Sequence, residues 1–206
     1  MIKVIACKVF ETYIQQLQYQ IDVKYLDVQM HNTPKKLRKM LQDEIDQCVG
    51  YDYILILYGL CGNVLLDLKA RDIPLIVIKA HDCLSILLGG HQRYLEYFED
   101  RKSSSWTCRG LKENNGLSNL KDYQQWIIDY GQEEADYLRS VLYQPCHIYI
   151  KMREVESYSY DEIIMGDISY LKSILDLTNN DLLVVTNTEQ LKLTNDHHVI
   201  KKIGIE

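Results

Sequence analysis

Apolar and polar positions change period several times along this chain, and each change marks an element. Ile2 to Ala6 is a short, β-branched apolar run that reads as a strand. Phe10, Tyr13, Ile14 and Leu17 then recur at helical spacing within the segment from Phe10 to Gln20. Val23 to Val28 predicts a second strand. Thr33 is placed to cap a helix whose first position is Pro34 and whose apolar face is Leu37, Met40, Leu41, Ile45 and Cys48, ending near Gly50.

Tyr53 to Tyr58 and Pro74 to Lys79 are uninterrupted apolar runs of the kind buried on both faces in a parallel sheet. Helices are predicted at Leu84 to Leu88, His91 to Phe98, Leu120 to Tyr130, Gln132 to Tyr143 and Ile168 to Leu177, and strands at His147 to Lys151, Glu162 to Met165 and Leu182 to Thr186. Arg101 to Gly116, rich in Ser, Gly and Asn, reads as a surface loop with at most a short extended piece, suited to act as a lid. Residues 190–206 read as an edge strand or tail. Alternating strands and helices predict an α/β fold in three layers, a mostly parallel sheet with helices on both faces, within a single domain spanning residues 1–206.

Composition narrows the function classes. A formal net charge of −6 over 206 residues argues against nucleic acid as a partner, since phosphate binding needs clustered Lys and Arg. The one basic cluster, Lys35, Lys36, Arg38 and Lys39, is followed on the same predicted helix by Asp43, Glu44 and Asp46, which reads as a solvated face. No apolar run approaches the ~20 residues of a membrane helix, and the N-terminal run is a strand pattern rather than a signal peptide, so the expectation is a cytoplasmic protein. Its six cysteines are then expected to be reduced, and a shared role would be metal binding or thiol chemistry.

In open parallel sheets ligands bind beyond the carboxyl ends of the strands, so chemistry is sought immediately after each run. There stand Cys7, Cys61, the His81-Asp82-Cys83 group, and, after later strands, Gly166-Asp167 and Asn187. Gly59 and Gly62 flank Cys61, with Asn63 next, and would let the backbone approach a ligand closely. If Cys83 opens a helix, the amides there favour its thiolate. The competing reading is that each cysteine merely packs.

Thiolate and imidazole ligands select zinc, copper(I) or iron–sulfur centres over magnesium or calcium. The candidate ligands are Cys7, Cys61, Cys83 and His81, around Zn2+ or, alternatively, a [4Fe-4S] cluster. Asp82 caps a helix or orients His81. His91, His31, Cys108 and Asp167 are further candidates near the crevice: Cys108 reads as a loop thiol or a movable extra ligand, and surface capping is the alternative for His31. Cys48 is expected in the core, Cys146 at a strand entry, and His197 and His198 in the tail.

The segments Val4 to Cys7, Tyr58-Gly59-Leu60-Cys61-Gly62-Asn63, Ala80-His81-Asp82-Cys83 and Leu87-Leu88-Gly89 resemble the DUF1638 family. The resemblance spans most of the first 140 residues. It departs at Gly110-Leu111, where the family tends to Gly-Trp, and between Lys151 and Asp161, which is short for the helix expected there. It implies an α/β protein and, from the genes its members accompany, a role beside corrinoid-dependent methyltransferases in anaerobic one-carbon metabolism. The expected function is therefore a metal-binding protein whose open position takes a small-molecule or thiol ligand. The alternatives are an accessory module that holds metal or cofactor for a methyltransferase partner, and a small-molecule binding domain with packing cysteines.

Overall fold

The computed structural model describes residues 1–98, 106–114, 118–142, 162–164, 166–193 and 200–204. β1 (Ile2–Cys7) leads through a 3-10 turn into α1 (Glu11–Gln16), which is shorter than its apolar spacing predicts because the chain turns left-handed at Gln18 (φ 55°). β2 (Asp22–Leu26) and a second 3-10 turn, Val28–Asn32, precede α2 (Pro34–Asp46). Pro34 opens α2 as expected. Thr33 stands at the cap position but does not cap: its hydroxyl donates to the Met30 carbonyl at 3.4 Å. Leu37, Leu41 and Ile45 bury one face of α2, each contributing about 1.5–3 kcal/mol.

β3 (Tyr53–Leu57) and β4 (Leu75–Ile78) are the two continuous apolar runs. Then come α3 (Cys83–Leu88), α4 (His91–Phe98), β5 (Trp106–Cys108), α5 (Arg109–Glu113), α6 (Ser118–Tyr130) and α7 (Gln132–Leu142). The chain closes with β6 (Glu162–Ile164), α8 (Ile168–Leu175), β7 (Leu182–Val185), β8 (Glu189–Leu193) and β9 (Ile200–Gly204).

The fold is α/β around one five-stranded sheet in the order β2-β1-β3-β4-β7. The first four strands are parallel, in a register that sets Ala6 beside Tyr25 and Leu57, while β7 runs antiparallel to β4. β1, β3 and β4 are central and almost wholly buried, which is why their sequences carry no alternation. The order reverses direction between β1 and β3: one connection leads outward to β2 and the next crosses back to β3. That switch point opens a crevice at the carboxyl ends of these two strands.

Several expectations change here. β6 pairs with β5 in a separate two-stranded sheet, so Gly166 and Asp167 do not follow a strand of the main sheet. Because β7 is antiparallel, Asn187 leaves at the opposite end from the crevice. The segment from Arg101 to Gly116, expected as a loop, includes β5 and the helix α5. β8 and β9 form a hairpin. The predicted strand at 147–151, the short stretch between Lys151 and Asp161, Cys146, His197 and His198 lie outside the described residues. Among the described residues no helix is long and apolar enough to cross a membrane.

Candidate thiolate site

Two loops are drawn together at the crevice by an extension of the β3–β4 pairing. Leu60 N–H donates to the Ala80 carbonyl at 2.9 Å and Cys61 N–H to the His81 carbonyl at 3.1 Å. The backbones come so close at Gly59 that a Cβ there would lie 2.3 Å from the Asp82 Cα and carbonyl carbon. Only glycine fits. Cys61, Gly62 and Asn63 then all take left-handed conformations, with φ of 42°, 71° and 68°. For Cys61 this costs roughly 1–2 kcal/mol, strain that the surrounding contacts must hold in place.

Arg38 of α2 clamps this turn, donating from Nη2 to the Asn63 carbonyl at 2.7 Å and from Nη1 to Asp67 at 2.8 Å. Asn63 thus serves through its backbone, and its exposed side chain is not part of the crevice wall. On the other loop Asp82 caps α3 in a reciprocal box: its Oδ1 accepts from Ser85 N–H at 2.7 Å, and its own N–H donates to Ser85 Oγ at 2.8 Å. Asp82 Oδ2 also meets His81 Nδ1 at 3.1 Å, so the capping and the orienting roles are both filled.

These contacts converge three sulfurs from distant segments. Cys61 Sγ lies 3.6 Å from Cys83 Sγ, and Cys7 at the end of β1 stands close enough to Cys83 for each to shift the other's ionisation. Cys83 is therefore the middle of a row. The neighbouring Cys83 holds the Cys7 thiol below its ordinary value despite burial, with the Val9 amide adding to it. Cys83 is pushed well above its ordinary value by its neighbours Cys61 and Cys7 and by burial. This reverses the expectation for Cys83: two neighbouring sulfurs outweigh whatever the opening of a six-residue helix supplies.

Beneath the row, the Tyr58 hydroxyl is buried beside the Cys7 sulfur, close enough for each to shift the other's ionisation. Yet no acceptor stands at hydrogen-bonding geometry to it. Burial first, then the charges of Cys7, Cys83 and Cys61, keep this phenol protonated. A cavity of about 330 Å3 opens above, walled by Cys7, Cys61, Cys83, Tyr58, His81, Asp82, Asp27 and His31, with Val9, Val28, Leu84 and Leu111 as its apolar part. His81 is raised from its ordinary value by its bond to Asp82, against burial. Burial raises the Asp82 carboxyl, but the bonds from His81 and Ser85 together outweigh that and leave it lowered. A larger hollow, about 830 Å3, is walled by the Asp46–Arg71 ion pair, residues 67–73, Asn187, Glu189 and Gln190 at the opposite end of the sheet; it lacks any such group of thiols.

The remaining candidates stand apart. His91 is a second neighbour: it stacks on Tyr94 at 6.1 Å, and Tyr94 stacks on His81 at 5.1 Å. Cys108 is completely buried and pushed up to about 11 by burial, so it is not a loop thiol free to move. Asp167 caps α8 through the Tyr170 amide at 2.9 Å and pairs with Arg93 at 2.8 Å. Gly62 borders the cavity. Among the described residues no group of three or more His, Cys, Asp or Glu is set as it stands to hold a metal ion. Cys61 and Cys83 touch one another instead.

Residues 25–168 match the family described as protein of unknown function, DUF1638. The chain belongs to the DUF1638 family. The DUF1638 segment contains both loops, with Cys61, His81, Asp82 and Cys83, whereas Cys7 is contributed by the strand that precedes it. No curated protein and no solved structure matches the chain.

Sequence reasoning missed Tyr58, Arg38, Ser85 and Asp27. Tyr58 carried a signal, as the polar-tipped residue that ends an apolar run directly before Gly59.

Proposed function

We propose that the crevice is a thiolate metal site in which Cys7, Cys61 and Cys83, with His81 beside them, hold zinc and leave one position for a small ligand. The observation that carries this reading is the sulfur row itself, assembled from three distant segments under a cavity. Thiolates bound to zinc at ~2.3 Å stand about 3.8 Å apart at a tetrahedral angle, close to the 3.6 Å between Cys61 and Cys83. The protons now shared along the row are those that metal binding releases. The unpartnered Tyr58 hydroxyl supports the same reading, as a buried donor facing sulfurs that become better acceptors once ionised.

Zinc in such a site lowers the pKa of a bound thiol or water and makes it a nucleophile at neutral pH. In the wider form of the proposal, that thiol accepts a methyl group supplied by a corrinoid protein; in the accessory form, the site holds metal for a methyltransferase partner without turnover. A three-cysteine [4Fe-4S] cluster is the close variant and would be brown. A second reading, thiol exchange by the row without metal, is favoured by the direct contact of the sulfurs.

Elemental analysis of anaerobically purified protein tests the proposal, beside a Cys7/Cys61/Cys83→Ser triple variant whose folding is checked by circular dichroism. The expected result is metal retained by the parent and lost from the folded variant. Equal metal content in the two, or none in either, overturns it.

A further inference from the structure

The cavity above the sulfurs is small, about 330 Å3, near the lower end of ligand pockets, so what enters it is a compact molecule. At its rim Asp27 begins the Val28–Asn32 turn, and its Oδ1 accepts from the Gln29 amide at 2.8 Å. Oδ2 has no hydrogen-bond or ion-pair partner among the described residues. Asp82 adds a second carboxylate to the wall, and none of the described residues lining the cavity is Lys or Arg. Its two imidazoles are already engaged at Nδ1, His81 with Asp82 and His31 with the Val28 carbonyl.

We infer that this cavity selects a small thiol bearing an amine, and disfavours thiols bearing a carboxylate, sulfonate or phosphate. The amine lies against Asp27 in a charge-assisted hydrogen bond, and the sulfur lies over the row formed by Cys7, Cys61 and Cys83. The buried Tyr58 hydroxyl, on the other side of the row, remains the donor available to the row's own sulfurs. An anionic thiol of the same length would bring like charge to Asp27 and find no Lys or Arg among the described wall residues, where the His81 imidazole is already paired with Asp82. The inference deepens the metal-site reading and rests on it only for what holds the ligand's sulfur.

The charge preference is measured first on the metal-free, fully reduced chain, with three symmetric disulfides of matched length: cystamine, bis(2-hydroxyethyl) disulfide and bis(2-sulfonatoethyl) disulfide. A protein thiolate attacks one sulfur of the probe, a protein–probe disulfide forms, the probe's own S–S bond breaks, and one small thiolate leaves. Adducts at Cys7, Cys61 and Cys83, and the Cys61–Cys83 disulfide formed when the neighbouring thiolate expels the second small thiolate, are followed together by peptide mass mapping, and each rate is divided by that of the chain unfolded in urea. Cystamine is expected to react about three- to fivefold faster than the sulfonate probe at low salt, because Asp27 is exposed, with the ratio shrinking as salt rises. Asp27→Asn is expected to remove most of that ratio.

Equal normalised rates, a faster sulfonate probe, or a ratio unchanged in Asp27→Asn would overturn the inference. Metal-loaded protein is then titrated with cysteamine, 2-mercaptoethanol and 2-mercaptoethanesulfonate, and the same order of affinity is expected. If the chain retains no metal, the metal-site reading fails while the disulfide rates still decide the charge preference.

Discussion

Gly59→Ala probes the contact on which the site's assembly depends. The added Cβ would stand 2.3 Å from the Asp82 Cα and carbonyl carbon, where carbon atoms otherwise approach to about 3.5 Å. One backbone must therefore retreat by about 1.2 Å, and neither is the free end of a side chain. Such a shift breaks the Leu60–Ala80 and Cys61–His81 backbone hydrogen bonds, at about 1 kcal/mol each. Overpacking in a well-filled region adds about 1–3 kcal/mol. The expected loss is about 3–5 kcal/mol, or about 2 M in urea midpoint for a slope near 2 kcal/mol per M.

Equilibrium urea unfolding measures that loss, and oxidation of Cys61 and Cys83 to a disulfide reports whether the two loops still meet. The reference is Gly50→Ala, where a Cβ meets nothing within 4 Å and only the positive φ of 79° is strained, at about 1–2 kcal/mol. If Gly59→Ala is no more destabilised than Gly50→Ala and its cysteines cross-link at the parental rate, the close approach does not hold the site together.

Two further outcomes follow from the same geometry. Asp82→Ala removes the cap of α3 and should cost about 1–2 kcal/mol near neutral pH. Because the folded carboxyl lies below its ordinary 3.8, its contribution is full above that value and is lost as pH falls through the lower folded one. The variant's deficit in denaturant midpoint should therefore shrink in acid; a deficit that is constant or grows would refute the assignment. Cys108, pushed up to about 11, should remain unalkylated by iodoacetamide at pH 8 while Cys7 and Cys61 react, as peptide mapping would show. Labelling of Cys108 at the rate of Cys61 would contradict its burial.

The parallel strands and their exits were legible because strands buried on both faces must be continuous apolar runs, and Ile54–Leu57 and Leu75–Ile78 are such runs. Asp82 as a cap was legible for a similarly local reason, since the signal lies within four residues. β6 and β7 resemble the other strands in composition, so nothing local told that one would leave the main sheet and the other reverse. Asp167 and Asn187, read as strand exits, were displaced with them. Cys108 and His91 are near the site along the chain, but complete burial removes the first and Tyr94 screens the second.

By itself the sequence determined the strand and helix periods, the glycine before Cys61, and that three thiols leave strands at their carboxyl ends. These are local properties, set by the alternation of side chains and the conformations each residue tolerates. Only the tertiary structure decided that β1 and β3 lie side by side, which brings Cys7 to a row whose other members are 54 and 76 positions further along. It also decided that a phenol is buried beneath that row without an acceptor, and that the rim above carries carboxylate. Strand order is set by the summed packing of the whole sheet, and no window of neighbouring residues contains that sum.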